Sequence, residues 1–139
     1  MRPSTIIAAV QATIEALTPE SKSDAADAWV RGDALEEGAV FERAFFVDLL
    51  AVRTGARTMR PVQNMLLDLA IRIVYGRGNE SVSRMADDAD QILRSLLGLK
   101  HWQSQPDVCK VDVDSSGAIF RGESQELQIR LTIDYDWRG

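Results

Sequence analysis

Two long alternating runs constrain this chain more than any other feature. In LQIRLTIDYDW, positions 127 to 137, the odd positions are Leu127, Ile129, Leu131, Ile133, Tyr135 and Trp137. The even positions are Gln128, Arg130, Thr132, Asp134 and Asp136. A period of two sends these sets to opposite faces of a strand. VQNMLLDLAIRIVYG, positions 62 to 76, repeats the pattern with Met65, Leu67, Leu69, Ile71, Ile73 and Tyr75 on one face. Its other face mixes Leu66, Ala70 and Val74 with Asp68 and Arg72. Strands that need cover on one side belong to antiparallel sheets. Burying each large apolar side chain stabilises by roughly 1.5 to 3 kcal/mol, so the run at 127 to 137 is expected to be a full sheet member.

The remaining elements fall around these runs. FERAFFVDLLAV, 41 to 52, reads as a strand joined to 62–76 through RTGARTMRP, where Gly55 and Pro61 suit a hairpin loop over 53–61. Near the start, Ser4 is a candidate cap for a helix whose apolar face is Ile6, Ile7, Val10, Ile14 and Leu17, ending before Pro19. A second helix opens at Asn79, carries the stripe Val82, Met85, Ala86, Ala89, Ile92, Leu93 and Leu96, and stops at Gly98. Arg84, Asp87, Asp88, Gln91 and Arg94 fall on its polar side. A strand near 107–113, a turn at Ser115-Ser116-Gly117 and an extended tip, AIFRGES, precede the last strand. The expected fold is α+β, in the order α-β-β-α-β-β. It is an antiparallel four-stranded sheet with two main helices packed on one face, formed by residues 1–139 as one domain. Residues 18–40 and 53–61 are expected to be interaction loops.

Few residues carry a chemical signature. The formal net charge of −5 disfavours nucleic-acid binding over the whole surface. One cysteine, Cys109, excludes an internal disulfide framework and a cysteine-based zinc site. No apolar run approaches the ~20 residues of a membrane helix. MRPSTIIAAVQATIEAL is broken by Gln11 and Glu15, so neither a membrane span nor a signal peptide is expected, and synthesis is expected in the cytoplasm. His101 is the sole histidine, beside Trp102, and no nucleophile is spaced to use it. Gly76-x-Gly78 lacks the third glycine and the Lys-Ser/Thr of phosphate-binding loops, and reads as a strand-to-helix turn. Asp87, Asp88 and Asp90, like Asp107, Asp112 and Asp114, lack the loop pattern of a calcium site and read as solvated acidic faces. No enzyme, cofactor or metal site is expected.

Charge and aromatic residues point instead to contacts. Arg53, Arg57 and Arg60 occur without an intervening acid, and serve either as a solubilising tip or as a contact for phosphate or an acidic protein surface. Asp24, Asp27, Asp33, Glu36 and Glu37 supply an opposite charge on 18–40. Trp29 and Trp137 are core residues or interface anchors.

With STIIAAVQATIEAL opening the chain, SVSRMADDADQILRSLL as the later helix and LTIDYDW closing a hairpin, the chain resembles the tail terminator proteins of long-tailed bacteriophages. These are also called tail completion or head–tail joining proteins. Similar proteins serve gene transfer agents and phage-like contractile devices. The resemblance lies in layout across nearly the whole chain. It implies a structural protein, a homo-hexameric ring that caps the tail tube, stops its polymerisation and offers a surface to the neck or head-completion protein. DNA would pass through the ring without specific binding, at the head-proximal end of a virion tail, with no membrane partner. In such a ring the opposite charges of residues 20–37 and 53–60 are one candidate pair of complementary patches, with Trp29 as an interface residue; alternatively, Asp87, Asp88 and Asp90 would line the lumen. Alternatives are a neck connector protein and a non-viral α+β module that binds a small molecule.

Overall fold

The computed structural model describes residues 2–20, 28–35, 43–59, 62–75, 82–97, 102, 107–121 and 124–137. Helix α1 (Pro3–Ala16) comes first, followed by the short strand β1 (Trp29–Arg31) and a 3₁₀ turn at Gly32–Ala34. The long strands β2 (Arg43–Met59) and β3 (Val62–Tyr75) precede helix α2 (Val82–Leu97), and β4 (Val108–Arg121) and β5 (Ser124–Trp137) close the order. One sheet contains all five strands, in spatial order β1-β2-β3-β5-β4.

This corrects the expected fold class. The sheet has five strands and is mixed, because β1 pairs parallel with β2 through Trp29↔Arg43, Val30↔Ala44 and Arg31↔Phe45. Three residues are too few to display a period-two pattern, which is why β1 was not legible. The four long strands pair antiparallel among themselves.

β5 occupies the interior of the sheet, hydrogen-bonded to β3 on one side and β4 on the other. Its odd residues Leu127, Ile129, Leu131, Ile133 and Tyr135 are buried, opposite buried Ile73, Ile71, Leu69, Leu67 and the partly buried Met65 of β3. Ile6, Val10 and Ile14 of α1 and Met85, Ala89, Ile92 and Leu96 of α2 join the same core. The spacing of those helical residues places them on one side of each helix.

The helix ends differ from the sequence reading. Arg2, not Ser4, is the N-cap of α1, and its carbonyl accepts from Thr5 N at 3.0 Å. Pro3 takes the first helical position, where its missing N–H costs nothing. Asn79 and Gly98 lie outside the described residues, as does His101. Trp102 Nε1 donates to the Leu96 carbonyl at 2.7 Å, satisfying an acceptor at the end of α2.

Both expected turns moved outward. Ser115-Ser116-Gly117 lies within β4, opposite Arg130, Ile129 and Gln128. A register shift between Val113 and Ser115 makes a bulge at Asp114, so small polar residues mark an irregularity in a strand, not its end. Arg53, Gly55 and Arg57 likewise belong to β2, which has register shifts between Leu49 and Ala51 and between Thr54 and Thr58. Gly55 permits a close approach there: a Cβ on it would collide with the side chain of Asn64.

Candidate interaction surface

The sheet has two chemically distinct faces. One is the apolar face under the helices. The other is an open face on which charged side chains of neighbouring strands are paired across the sheet. Arg72 forms an ion pair with Asp48 of β2, and its Nη1 is 3.9 Å from Glu126 Oε1 of β5. Its guanidinium also lies over the ring of Phe46, 4.7 Å from the centroid. Phe46 in turn meets Gly32, where a Cβ would clash with the ring. The 3₁₀ turn thus covers one end of this face through an aromatic ring and a glycine.

Further along, Arg53 makes a bidentate pair with Asp68, with Nε 2.6 Å from Oδ2 and Nη2 2.8 Å from Oδ1. The register explains the contact: Ala51 is opposite Asp68, so Arg53 is its diagonal neighbour on the same face. Thr132 Oγ1 lies 2.8 Å from Asp68 Oδ1 and 2.8 Å from Asp114 Oδ2, and its single proton serves one of them at a time. Arg53, Asp68, Thr132 and Asp114 thus form a polar row across β2, β3, β5 and β4. The Arg53 guanidinium holds the Asp68 carboxyl below the ordinary carboxylate value, opposed by partial burial and helped by Thr132. Lys110 and Asp112 add a pair at 3.4 Å on β4.

A second charged group is internal. Arg43 and Asp88 are both fully buried and joined by two hydrogen bonds, of 2.7 and 3.2 Å. Tyr75 Oη donates to the same carboxylate at 2.6 Å. The Arg43 guanidinium lies 5.6 Å from the centre of the Trp29 ring, and Trp29 Nε1 has no hydrogen-bond partner among the described residues. This cluster ties β1, β2 and β3 to α2. The α2 side chain of Gln91 holds the chain that follows α1, accepting from Glu20 N at 2.9 Å and donating to Thr18 O at 2.8 Å.

The residues anticipated as contacts separate accordingly. Arg53 is on a strand, not a loop, and is paired with Asp68. Arg57 is in β2, and Arg60 lies outside the described residues, as do Asp24, Asp27, Glu36 and Glu37. Asp33 sits in the 3₁₀ turn and is held by Arg31 at 3.2 and 2.9 Å. Trp29 is 2% exposed and is a core residue of its own chain. Asp87 and Asp90 are exposed on α2, with Asp90 bonded to Arg94 at 2.8 Å. Asp88 differs from both: its carboxylate is buried inside the chain, on Arg43 and Tyr75. The Asp87-Asp88-Asp90 spacing looks uniformly acidic, and only the packing partners distinguish Asp88. Trp137, by contrast, is 47% exposed.

Sequence reasoning missed an exposed apolar strip on β2. Leu49, Leu50 and Val52 are 52, 50 and 44% exposed. β1 covers the outer side of β2 only at residues 43–45, so from Phe46 onward that side carries no strand among the described residues. A cavity of about 150 Å³ marks the place where β1 departs, lined in part by Gln11, Arg31, Phe46 and Asp48. Among the described residues no helix is long and apolar enough to cross a membrane. No group of three His, Cys, Asp or Glu residues there is arranged to hold a metal ion.

No family model and no curated protein matches this sequence. The fold does have a solved counterpart. A chain in the virion of a native gene transfer agent particle superposes with a TM-score of 0.60 at 11% identity, over 95% of this chain and 95% of that one. At that identity the likeness is one of fold, and it extends from end to end.

Proposed function

We propose that this chain is a structural subunit of a phage-like particle, and specifically the tail terminator. In this reading copies of the chain form a ring, hexameric as in the resembled family, on the head-proximal end of the tail tube. The ring ends tube polymerisation and offers the neck protein a docking surface, while DNA passes through its centre. The protein performs no reaction and needs no cofactor. The observation that carries the reading is the end-to-end likeness to a gene transfer agent virion chain, which agrees with the layout of the sequence.

The physical character of the chain supports it. A capping subunit needs a rigid body and several distinct contact surfaces, since a head-to-tail ring uses two different patches per copy. Here a sheet braced by helices presents a charged open face, an apolar edge strip and the exposed Asp87 and Asp90. The test is tube growth. Purified chain added to polymerising tail tube protein is expected to arrest growth at one end and narrow the length distribution, with density for a ring at that end. Tubes that grow unchanged and carry no added density would refute the proposal.

A further inference from the structure

We infer that the β2 edge of one copy pairs antiparallel with the β4 edge of a second copy, with Val52 opposite Val113 and Arg53 opposite Asp112. The inference rests on the ring reading above and names the contact that would build it.

Strand direction makes the join possible. The order of the long strands is β2-β3-β5-β4, each antiparallel to the next. Four alternating strands leave β2 and β4 running in opposite directions at the two sides of the sheet. Rotation about an axis roughly along the strands therefore brings β4 of one copy beside β2 of the next in antiparallel orientation. The helix-covered faces stay on one side throughout.

The β2 edge is apolar where β1 leaves it, and the β4 edge carries one exposed valine among charged residues. Natural edge strands are protected by charge, proline or twisting bulges. β2 offers Leu49, Leu50, Ala51 and Val52 in succession, with no charge. Val113, on β4, is 37% exposed. Bulges divide both edges into regular runs, and each edge has one of four residues. On β2 one such run is Ala51–Thr54, between shifts at Leu50 and after Thr54, following the regular stretch Arg43–Leu49. On β4 the matching four-residue run is Lys110–Val113, between shifts at Cys109 and Asp114, ahead of the regular stretch Ser115–Arg121.

Face and charge then select the register. Opposed residues in a continuous sheet share a face. Val52 and Thr54 are opposite Leu67 and Met65, and Val111 and Val113 are opposite Ile133 and Leu131, so all four lie on the helix side. Arg53, Lys110 and Asp112 lie on the open side, opposite Leu66, Asp134 and Thr132. Two registers keep these faces together over three regular pairs. One sets Val52 against Val111 and places Arg53 against Lys110, which repels. The other sets Val52 against Val113, Thr54 against Val111 and Arg53 against Asp112. Only the second pairs opposite charges and buries the two exposed valines on each other.

Disulfide trapping tests this directly. In a Cys109→Ser background, Val52→Cys and Val113→Cys are made separately, oxidised alone and as an equimolar mixture at high concentration. Val52→Cys mixed with Val111→Cys reports the competing register. The expected result is a linked dimer in the Val52→Cys and Val113→Cys mixture about tenfold above either variant alone, because adjacency raises the effective thiol concentration. The Val111→Cys mixture should link less. Self-linked Val52→Cys, stronger linking to Val111→Cys, or no mixed dimer would overturn the inference. Native mass of the assemblies separates this from the ring reading. Open chains with the Val52–Val113 link would keep the edge contact and remove the ring. A closed ring lacking that link would keep the ring and remove the edge contact.

Discussion

At the scale of single residues, the internal Arg43–Asp88 pair is the point of greatest energetic leverage. Both charges are out of water, so neither can lose its partner cheaply. Asp88→Ala is expected to destabilise by about 3–5 kcal/mol, as the buried Arg43 loses the carboxylate that holds it through two hydrogen bonds. Tyr75→Phe removes one hydrogen bond to a charged group and should cost about 1.5–3 kcal/mol. Urea unfolding of the two variants checks the order: an Asp88→Ala loss no larger than that of Tyr75→Phe would contradict the buried pair. Asp68 provides a pH signature of the opposite, surface kind. Its folded-state pKa lies below the ordinary value of 3.8, so its pairing contributes stability above that value and loses it as pH falls through the folded-state pKa. Solvent around the half-exposed Arg53 keeps the effect small. Asp68→Asn should therefore lower the urea midpoint at neutral pH and flatten its acid slope. An unchanged slope would place the titration elsewhere.

Elements were legible in proportion to their length and regularity. The strict alternation of Leu127 to Tyr135 identified β5, because side-chain period alone assigns its two faces. That assignment has a direct test: Leu131→Ala should cost about 2–5 kcal/mol. Arg130→Ala, one residue away on the open face, should stay within about 0.5 kcal/mol. Comparable losses at both positions, measured by chemical unfolding, would mean the strand is buried on both faces. The helical stripes of α1 and α2 are readable too, except at Ala86, which the structure leaves exposed. Less so was anything that depended on a neighbour. β1 is too short to show a period, and its parallel pairing depends on Phe45 and Arg43, far along the chain. The turn at Ser115-Ser116-Gly117 and the loop at 53–61 were inferred from residue type. Ser115, Ser116 and Gly117 pair regularly just after the bulge at Asp114, and Gly55 permits a close approach to Asn64, so strands β4 and β2 continue through them. Asp88 and Gln91 were placed outside on α2 because polar residues default to solvent. Arg43, Tyr75 and the backbone at Thr18 and Glu20 supply partners that sequence spacing could not reveal.

On the scale of the whole molecule, the layout of helices and strands pointed to phage-like particles, and the gene transfer agent virion chain shares the fold. Candidate contacts transferred less well. The arginine group is not one loop tip, since Arg53 lies on the open sheet face of β2, where it bonds to Asp68. The apolar strip at Leu49, Leu50 and Val52 escaped notice because, as sequence, it reads as ordinary strand interior; only the sheet order exposes it. The central claim is that this chain ends a tail. Electron microscopy of particles assembled with and without it tests that claim most directly. Without the chain, the account expects tails of uncontrolled length and heads left unattached, both restored when the purified chain is added back. Particles of normal tail length with heads joined, in its absence, would contradict it.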